Sequence, residues 1–540
     1  MTAAMRGGWP RLVVVVALAL FAWTHRHAFG MTGFADDLGL LVDLSQRAQQ
    51  DNLLADVLSH VSGPLWPGST MWRPLPYASF AMDAVLWGAN AGLWRVTNLG
   101  LHLACATVSG LICRDITRNA SGGAVGFAVF LLLPWSPEVA IWLVGRFDGW
   151  ATLGVLLALW AALKTNGIDR WWAFSLVAGA CAYASKESAL ILPAWVAVMA
   201  VCASFRGGSN YANANANANA VTLKSILRST FSRHGSLVVA HALLAVAYLC
   251  LRASLFPESS LRVYAAAPQL DLGQIIPHLW HDLQFPLGLV SLSPVAAGIA
   301  GAGAATALAI AWARGARRCV VVGVFFIVSV VAAVAAYFPA PPGDGDGYRL
   351  YYLATIGFAL IVAGASTVTS RLTPIVVAVL LGALALWQGH VTEEWQRASD
   401  DMKGAASAIS RAAMSMPPKD YGLVLLPDHE GHIPFARNAQ GALPKFASLT
   451  VPPVDVLSRL VVFTPPQIDE WHRLSQEGVV RKITSRSDAP PNPTQYFCFD
   501  PRTQTLQALG FWPVGTLDEW RRKWRKSVAA ACPQVATAKG

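Results

Sequence analysis

The chain has 540 residues and a formal net charge of +10; 54% of it is hydrophobic and only 13% charged, with 21 Trp and a mean hydropathy of +0.43. A chain of this balance would be hard to keep soluble and is suited to a bilayer. Its Lys and Arg fall mainly between apolar runs, where they report orientation, so the excess positive charge does not call for a nucleic-acid partner.

Apolar runs approaching the roughly 20 residues that cross about 30 Å of hydrocarbon predict an all-α polytopic bundle of eleven spans. These lie at about 11–29, 96–113, 121–135, 148–163, 171–185, 188–204, 236–252, 293–313, 319–338, 349–368 and 373–390. With the N-terminus inside, the inner segments hold Arg6 and Arg11, Arg114 and Arg118, Lys164 and Arg170, Arg206, Lys224, Arg228 and Arg233, and Arg314, Arg317 and Arg318. This is the alternation that positive-inside loops require. No small-residue cleavage site closes the first span, which is therefore expected to be retained.

Just beyond that span stands Asp36-Asp37. Two carboxylates at the mouth of a bundle can accept a proton from a hydroxyl or position a cation. They open a long first outer loop, residues 30–95. In it the amphipathic stretch Leu38 to Val61 resembles a helix lying along the membrane surface. Pro74 to Trp87 is apolar enough to insert, but a full span here would invert every later helix. An interfacial or re-entrant helix flanked by Trp72, Trp87 and Trp94 is the consistent reading.

Further along, Asn98 and His102 share a helix face at i, i+4. Pro137-Glu138 and Gly145-Arg146-Phe147-Asp148 precede the fourth span, Ser185-Lys186-Glu187-Ser188 follows the fifth, and Asp346-Gly347-Tyr348-Arg349 precedes the tenth. Taken singly, each has an ordinary explanation: Asn and His bond neighbouring helices, and Arg snorkels to headgroups. Together, carboxylates beside several cations on one side suggest a site for an anionic lipid-linked substrate, since phosphate favours Arg forks and Lys point charges.

The inner loop 205–235 carries Asn-Ala repeats from Ala212 to Ala220 and reads as a disordered insertion. Residues 391–540 form a polar outer domain, expected to be a small α/β module with strands at Tyr421 to Leu426, Arg459 to Phe463 and Gln495 to Phe499, and a basic helix from Leu517 to Ala531. Cys498 and Cys532 are the two thiols of that domain, and an oxidising compartment would let them bridge. The other six, Cys105, Cys113, Cys181, Cys202, Cys250 and Cys319, lie in or beside apolar spans as small hydrophobes. Asp428-His429-Glu430-Gly431-His432 does not have the spacing of a helical zinc motif and reads as a polar loop.

The acidic pair, Arg73-Pro74-Leu75, the Asn98 to His102 helix start, Glu138 with Gly145-Arg146-x-Asp148, Ser185-Lys186-Glu187 and Tyr348-Arg349 together resemble the GT-C superfamily over roughly residues 10–390. The similarity is greatest to its protein O-mannosyltransferase and transmembrane-TPR mannosyltransferase branches. The chain departs from that pattern in lacking TPR helices after the bundle and in having Asp-Asp where Asp-Glu is common. The resemblance implies an integral-membrane glycosyltransferase that moves a sugar from a polyprenyl-phosphate donor to an extracytoplasmic acceptor, be it protein, lipid or polysaccharide. Asp36 or Asp37 would be the base, Lys186, Arg349, Arg146 and Arg73 would hold the donor phosphate, and Glu138, Asp148, His102 and Glu187 would meet sugar or acceptor. No cofactor is implied: carboxylates can ligate a divalent ion, but the branches resembled are metal-independent.

Two other classes fit less well. A secondary transporter should show internal repeats and ionisable groups near mid-membrane, whereas these charges cluster at outer helix ends. A non-catalytic scaffold would not need the acidic pair.

Overall fold

The structure, a computed structural model, describes residues 3–50, 52–65, 69–207, 223–256, 308–309, 312–313, 315–337, 347–367, 373–417, 422–427, 429–430, 433–436, 460–464, 495–510 and 517–532. The Asn-Ala repeats, Asp346, nearly all of the expected span 293–313, and Asp428, Gly431 and His432 lie outside them.

Helices dominate. In chain order they are α1 (Ala3–Thr24), α2 (Asp36–Gln49), α3 (Leu53–Ser59), α4 (Pro74–Trp87), α5 (Ala91–Thr117), α6 (Ala120–Leu132), α7 (Pro137–Ala140), α8 (Arg146–Ala162), α9 (Arg170–Tyr183), α10 (Leu192–Gly207), α11 (Leu223–Leu255), α12 (Arg317–Tyr337), α13 (Thr355–Ser366), α14 (Thr373–Ser415) and α15 (Leu517–Ala531). Among the described residues, seven helical stretches are long and apolar enough to cross a membrane: Gly8–Gly30, Ala91–Thr117, Leu143–Ala162, Arg233–Leu255, Arg317–Ala335, Arg349–Ser366 and Thr373–Ser415. Of the other expected spans, 121–135 and 188–204 appear as the shorter apolar helices Ala120–Leu132 and Glu187–Ala203, and 171–185 appears as the 14-residue α9. The chain is an integral membrane protein.

Local sequence sets the helix ends. Asn90 caps α5 by accepting the Leu93 N–H at 3.1 Å, and Asn119 caps α6 by accepting that of Ser121 at 2.7 Å. Asp169 caps α9 through the N–H groups of Trp171 and Trp172, both at 2.9 Å. These donors, which favour the ionised form, outweigh its slight desolvation and hold the Asp169 carboxyl below the usual range.

Small residues then let the helices approach. A Cβ on Gly110 of α5 would lie 2.9 Å from the Gly123 carbonyl of α6. One on Gly323 of α12 would lie 2.6 Å from the Gly357 carbonyl of α13. Between bilayer-embedded helices such contact replaces the hydrophobic drive available in water. Trp195 of α10 stacks on Phe326 of α12 at 3.9 Å. The His102 ring bonds the Tyr352 hydroxyl at 2.6 Å and the Leu131 carbonyl at 3.1 Å.

The C-terminal domain is built on a four-stranded sheet in the order β4-β1-β5-β6, from β1 (Gly422–Leu425), β4 (Leu460–Phe463), β5 (Gln495–Asp500) and β6 (Thr505–Gly510). β4, β1 and β5 run parallel, and β6 pairs antiparallel with β5. β2 (His429–Glu430) pairs antiparallel with β3 (Ile433–Pro434). Leu423 and Leu425 face α15, packing with Val528 and with Cys532, which is disulfide-bonded to Cys498 at a Cα separation of 6.3 Å. Val424 and Leu426 face the other way, into a core shared with α2 and α14. Burial on both faces explains why these strands read as unbroken apolar runs.

Two expectations about the first loop need correction. The amphipathic stretch Leu38 to Val61 is two helices, α2 ending at Gln49 and α3 starting at Leu53. Nor does α2 merely lie on a surface: Leu38, Leu40, Leu41, Val42 and Leu44 are buried against protein. α4 is a separate 14-residue helix, about 21 Å long at 1.5 Å per residue, which is too short to cross the roughly 30 Å of hydrocarbon unaided.

Candidate functional site

The segment from Pro137 to Asp148, running from just after α6 into the first turn of α8, is the hub of the candidate site. Glu138, on the one-turn α7, accepts the Arg349 backbone N–H at 3.0 Å and its guanidinium at 3.3 Å. Arg349 also lies 4.2 Å over the Trp142 ring. The N–H groups of Leu143 and Val144 point at Asp37, at 3.1 and 3.0 Å. Asn98 gathers the carbonyls of Val139, Trp142 and Leu143 at 2.9 to 3.2 Å, holding the segment in its irregular course. Asp148 pairs with Lys186 at 2.6 Å.

Next to Lys186, Glu187 accepts from Arg73 at 3.2 Å and from Arg252 at 2.7 Å. Arg73 packs 4.7 Å over the Phe147 ring. The cluster therefore runs from Arg349-Glu138 through the hub to Asp148-Lys186 and on to Arg73-Glu187-Arg252. Most of these side chains are under a tenth exposed. Charges so withdrawn from water cost several kcal/mol each, and pairing only partly offsets this. A linked series of them at helix ends is accordingly the candidate functional site.

The two members of the acidic pair are not equivalent. Asp37 is fully buried and accepts three backbone N–H groups, from Phe34 at 3.2 Å besides Leu143 and Val144. Burial raises its carboxyl from 3.8 to about 7, against the opposing pull of the Arg95 guanidinium and the three donors. Asp36 is half-buried and begins α2.

Arg146 is placed differently from the other sequence-selected cations. It is wholly buried and gives its donors to Asn98 at 2.7 Å, to the Trp94 carbonyl at 2.8 Å and to Asp83, with the Phe80 ring 4.2 Å away. In this structure it fastens α8 to α4 and α5. His102 is likewise wholly buried, between Tyr352 and Leu131.

Three site residues escaped the sequence reading: Asp83, Arg95 and Arg252. Arg95 bonds the carbonyls of Ile141 at 2.8 Å, Met31 at 2.6 Å and Thr32, tying the hub to the chain just before the acidic pair. The signal was available, since each is a charge set in an apolar stretch.

Among the described residues no three His, Cys, Asp or Glu side chains gather as ligands would around a metal ion. The carboxylates of the hub face cations instead.

The arrangement defines a membrane protein whose charged cluster sits at the end of the bundle bearing the C-terminal domain. No family model matches the chain, and no curated protein matches it. Among solved structures it is similar to ArnT from Cupriavidus metallidurans in the apo state, with 15% identity and a TM-score of 0.37 over 93% of this chain and 94% of that one. It is also similar to the same protein bound to undecaprenyl phosphate, with 14% identity and a TM-score of 0.35 over 92% and 94%. These are likenesses of outline and bring no residue correspondence with them.

Proposed function

We propose that the chain is an integral-membrane glycosyltransferase that transfers a sugar from a polyprenyl-phosphate donor to an extracytoplasmic hydroxyl. The observation that carries the reading is the Arg73-Glu187-Arg252 cluster beside Lys186, where buried guanidinium and ammonium groups gather at helix ends; Asp36 is the half-buried acid at the start of α2. Such groups recognise a phosphate headgroup held at the level of the membrane.

In this reading Asp36 takes the acceptor proton while the acceptor oxygen bonds the anomeric carbon and the bond from that carbon to the phosphate oxygen breaks. Arg73, Arg252, Lys186 and Arg349 stabilise the charge left on the polyprenyl phosphate. Asp37 acts as a brace, fixing the Leu143 to Val144 backbone. Glu138, Asp148 and Glu187 hold the cations in place and are available to sugar hydroxyls. The resemblance to mannosyltransferases makes mannosyl donors the first to assay, and the branches it points to work without a metal ion.

Binding of a polyprenyl phosphate to the purified protein, measured by native mass spectrometry, tests the donor site. Arg252→Ala and Arg73→Ala should each weaken binding by about ten- to a hundredfold, the worth of a charge-assisted contact of roughly 1.5–3 kcal/mol, with Arg252→Lys intermediate. Equal binding by folded wild type and both Ala variants would remove the phosphate from this cluster.

A further inference from the structure

The turn that delivers the acidic pair is strained. Ala35 has φ 43° and ψ −119°, and the Asp37 N–H closes back on the Phe34 carbonyl at 2.8 Å. This is the second position of a type II′ turn, which glycine occupies without cost and which an L-residue with a Cβ resists. Strain of this kind persists only where the surroundings hold it, and it gathers at functional sites.

The surroundings here include the C-terminal domain. The Ala35 N–H donates to the Phe435 carbonyl at 3.0 Å. Phe435 directly follows the β2-β3 pair and is buried in one core with Phe34, Ala35 and Ile433. Phe34 meets Trp395 of α14 edge-on at 5.0 Å. His429 and Glu430, from the polar stretch to which no role was assigned from sequence, therefore belong to the strand pair that presents this carbonyl.

We propose that the C-terminal domain positions the acidic pair: the Phe435 carbonyl clamps Ala35 in a conformation that alanine would otherwise leave, and so sets the direction in which Asp36 enters the site. Phe435 and Ala35 are positioning residues. The catalytic half of the proposal rests on the reading of Asp36 as base; the clamp itself does not.

The test uses the full-length protein in nanodiscs with two readouts: amide exchange across residues 31–44, and kcat and donor KM for transfer from a polyprenyl-phosphate sugar. Phe435→Ala, which keeps the carbonyl but removes the buried ring that anchors it, should speed exchange over 31–38 and lower kcat by roughly tenfold with donor KM unchanged. Adding Ala35→Gly, for which this turn is intrinsically favourable, should bring kcat back to within about threefold of wild type. Ala35→Val, which disturbs the turn from the bundle side of the contact, should reproduce the loss. Unchanged exchange or unchanged kcat in Phe435→Ala, or a loss that Ala35→Gly does not rescue, overturns the proposal. So does full kcat in Ala35→Val. Full activity in Asp36→Asn would instead overturn the assignment of the base, with exchange alone then deciding whether the clamp exists.

Discussion

Asp37 and Arg146 show how differently two buried charges can be used. Asp37 has its folded pKa raised from 3.8 to about 7, chiefly by burial. The folded state then holds an extra proton between about pH 4 and 7, so the contribution of Asp37 to stability falls as pH rises through that window and is level above it. Wild type should accordingly lose more Tm between pH 5 and pH 8 than Asp37→Asn does, and parallel curves would count against this. Arg146, wholly buried against Asp83, should be costly to remove: Arg146→Ala leaves a buried carboxylate and should lose about 3–5 kcal/mol. Arg26→Ala removes exposed contacts, to Glu393 and to the Trp23 carbonyl and ring, and should lose under about 1 kcal/mol. Thermal unfolding in detergent would compare the two, and a similar loss from both would refute the structural role given to Arg146.

At the scale of elements, α14 and the sheet do the linking. The apolar run that predicts a span ends near His390, yet the helix continues to Ser415 over 43 residues. Its second half buries Trp395, Ala398, Met402, Ala405 and Ile409 against α2 and the strands, a helical stripe that a search for continuous hydrophobicity passes over. β1, β4 and β5 were legible because both faces are buried, whereas the largely exposed β6 was not; α15 was legible because its basic stretch is bounded by turn residues. Arg252 and Asp83 were visible as charges in apolar stretches, but the ion pairs they join were not, because these form only when distant helices meet. The disulfide likewise needed geometry, since spacing alone does not bring two Cα atoms within reach. Cys532→Ser should free α15 from β5 and cost about 2–4 kcal/mol. Amide exchange should then rise over 517–532 and stay unchanged in α5 and α6, whereas a uniform rise would mean that the bridge supports the whole fold.

In the topology that the Lys and Arg bias of the loops predicts, the charged cluster, the acidic pair and the C-terminal domain are expected together on the extracytoplasmic side. A reporter active only in the cytoplasm should stay dark when fused after residue 417, and a bright fusion would invert the topology. The central claim is that this end of the bundle transfers sugar from a lipid-linked donor with Asp36 as base. The direct measurement is product formation by the purified full-length protein from a polyprenyl-phosphate sugar, alongside the corresponding nucleotide sugar and the Asp36→Asn variant. Wild type should transfer from the lipid-linked donor alone, and Asp36→Asn, still folded, should be slower by about 100- to 10,000-fold. Transfer from the nucleotide sugar with no lipid present, or an Asp36→Asn protein as fast as wild type, would contradict the account.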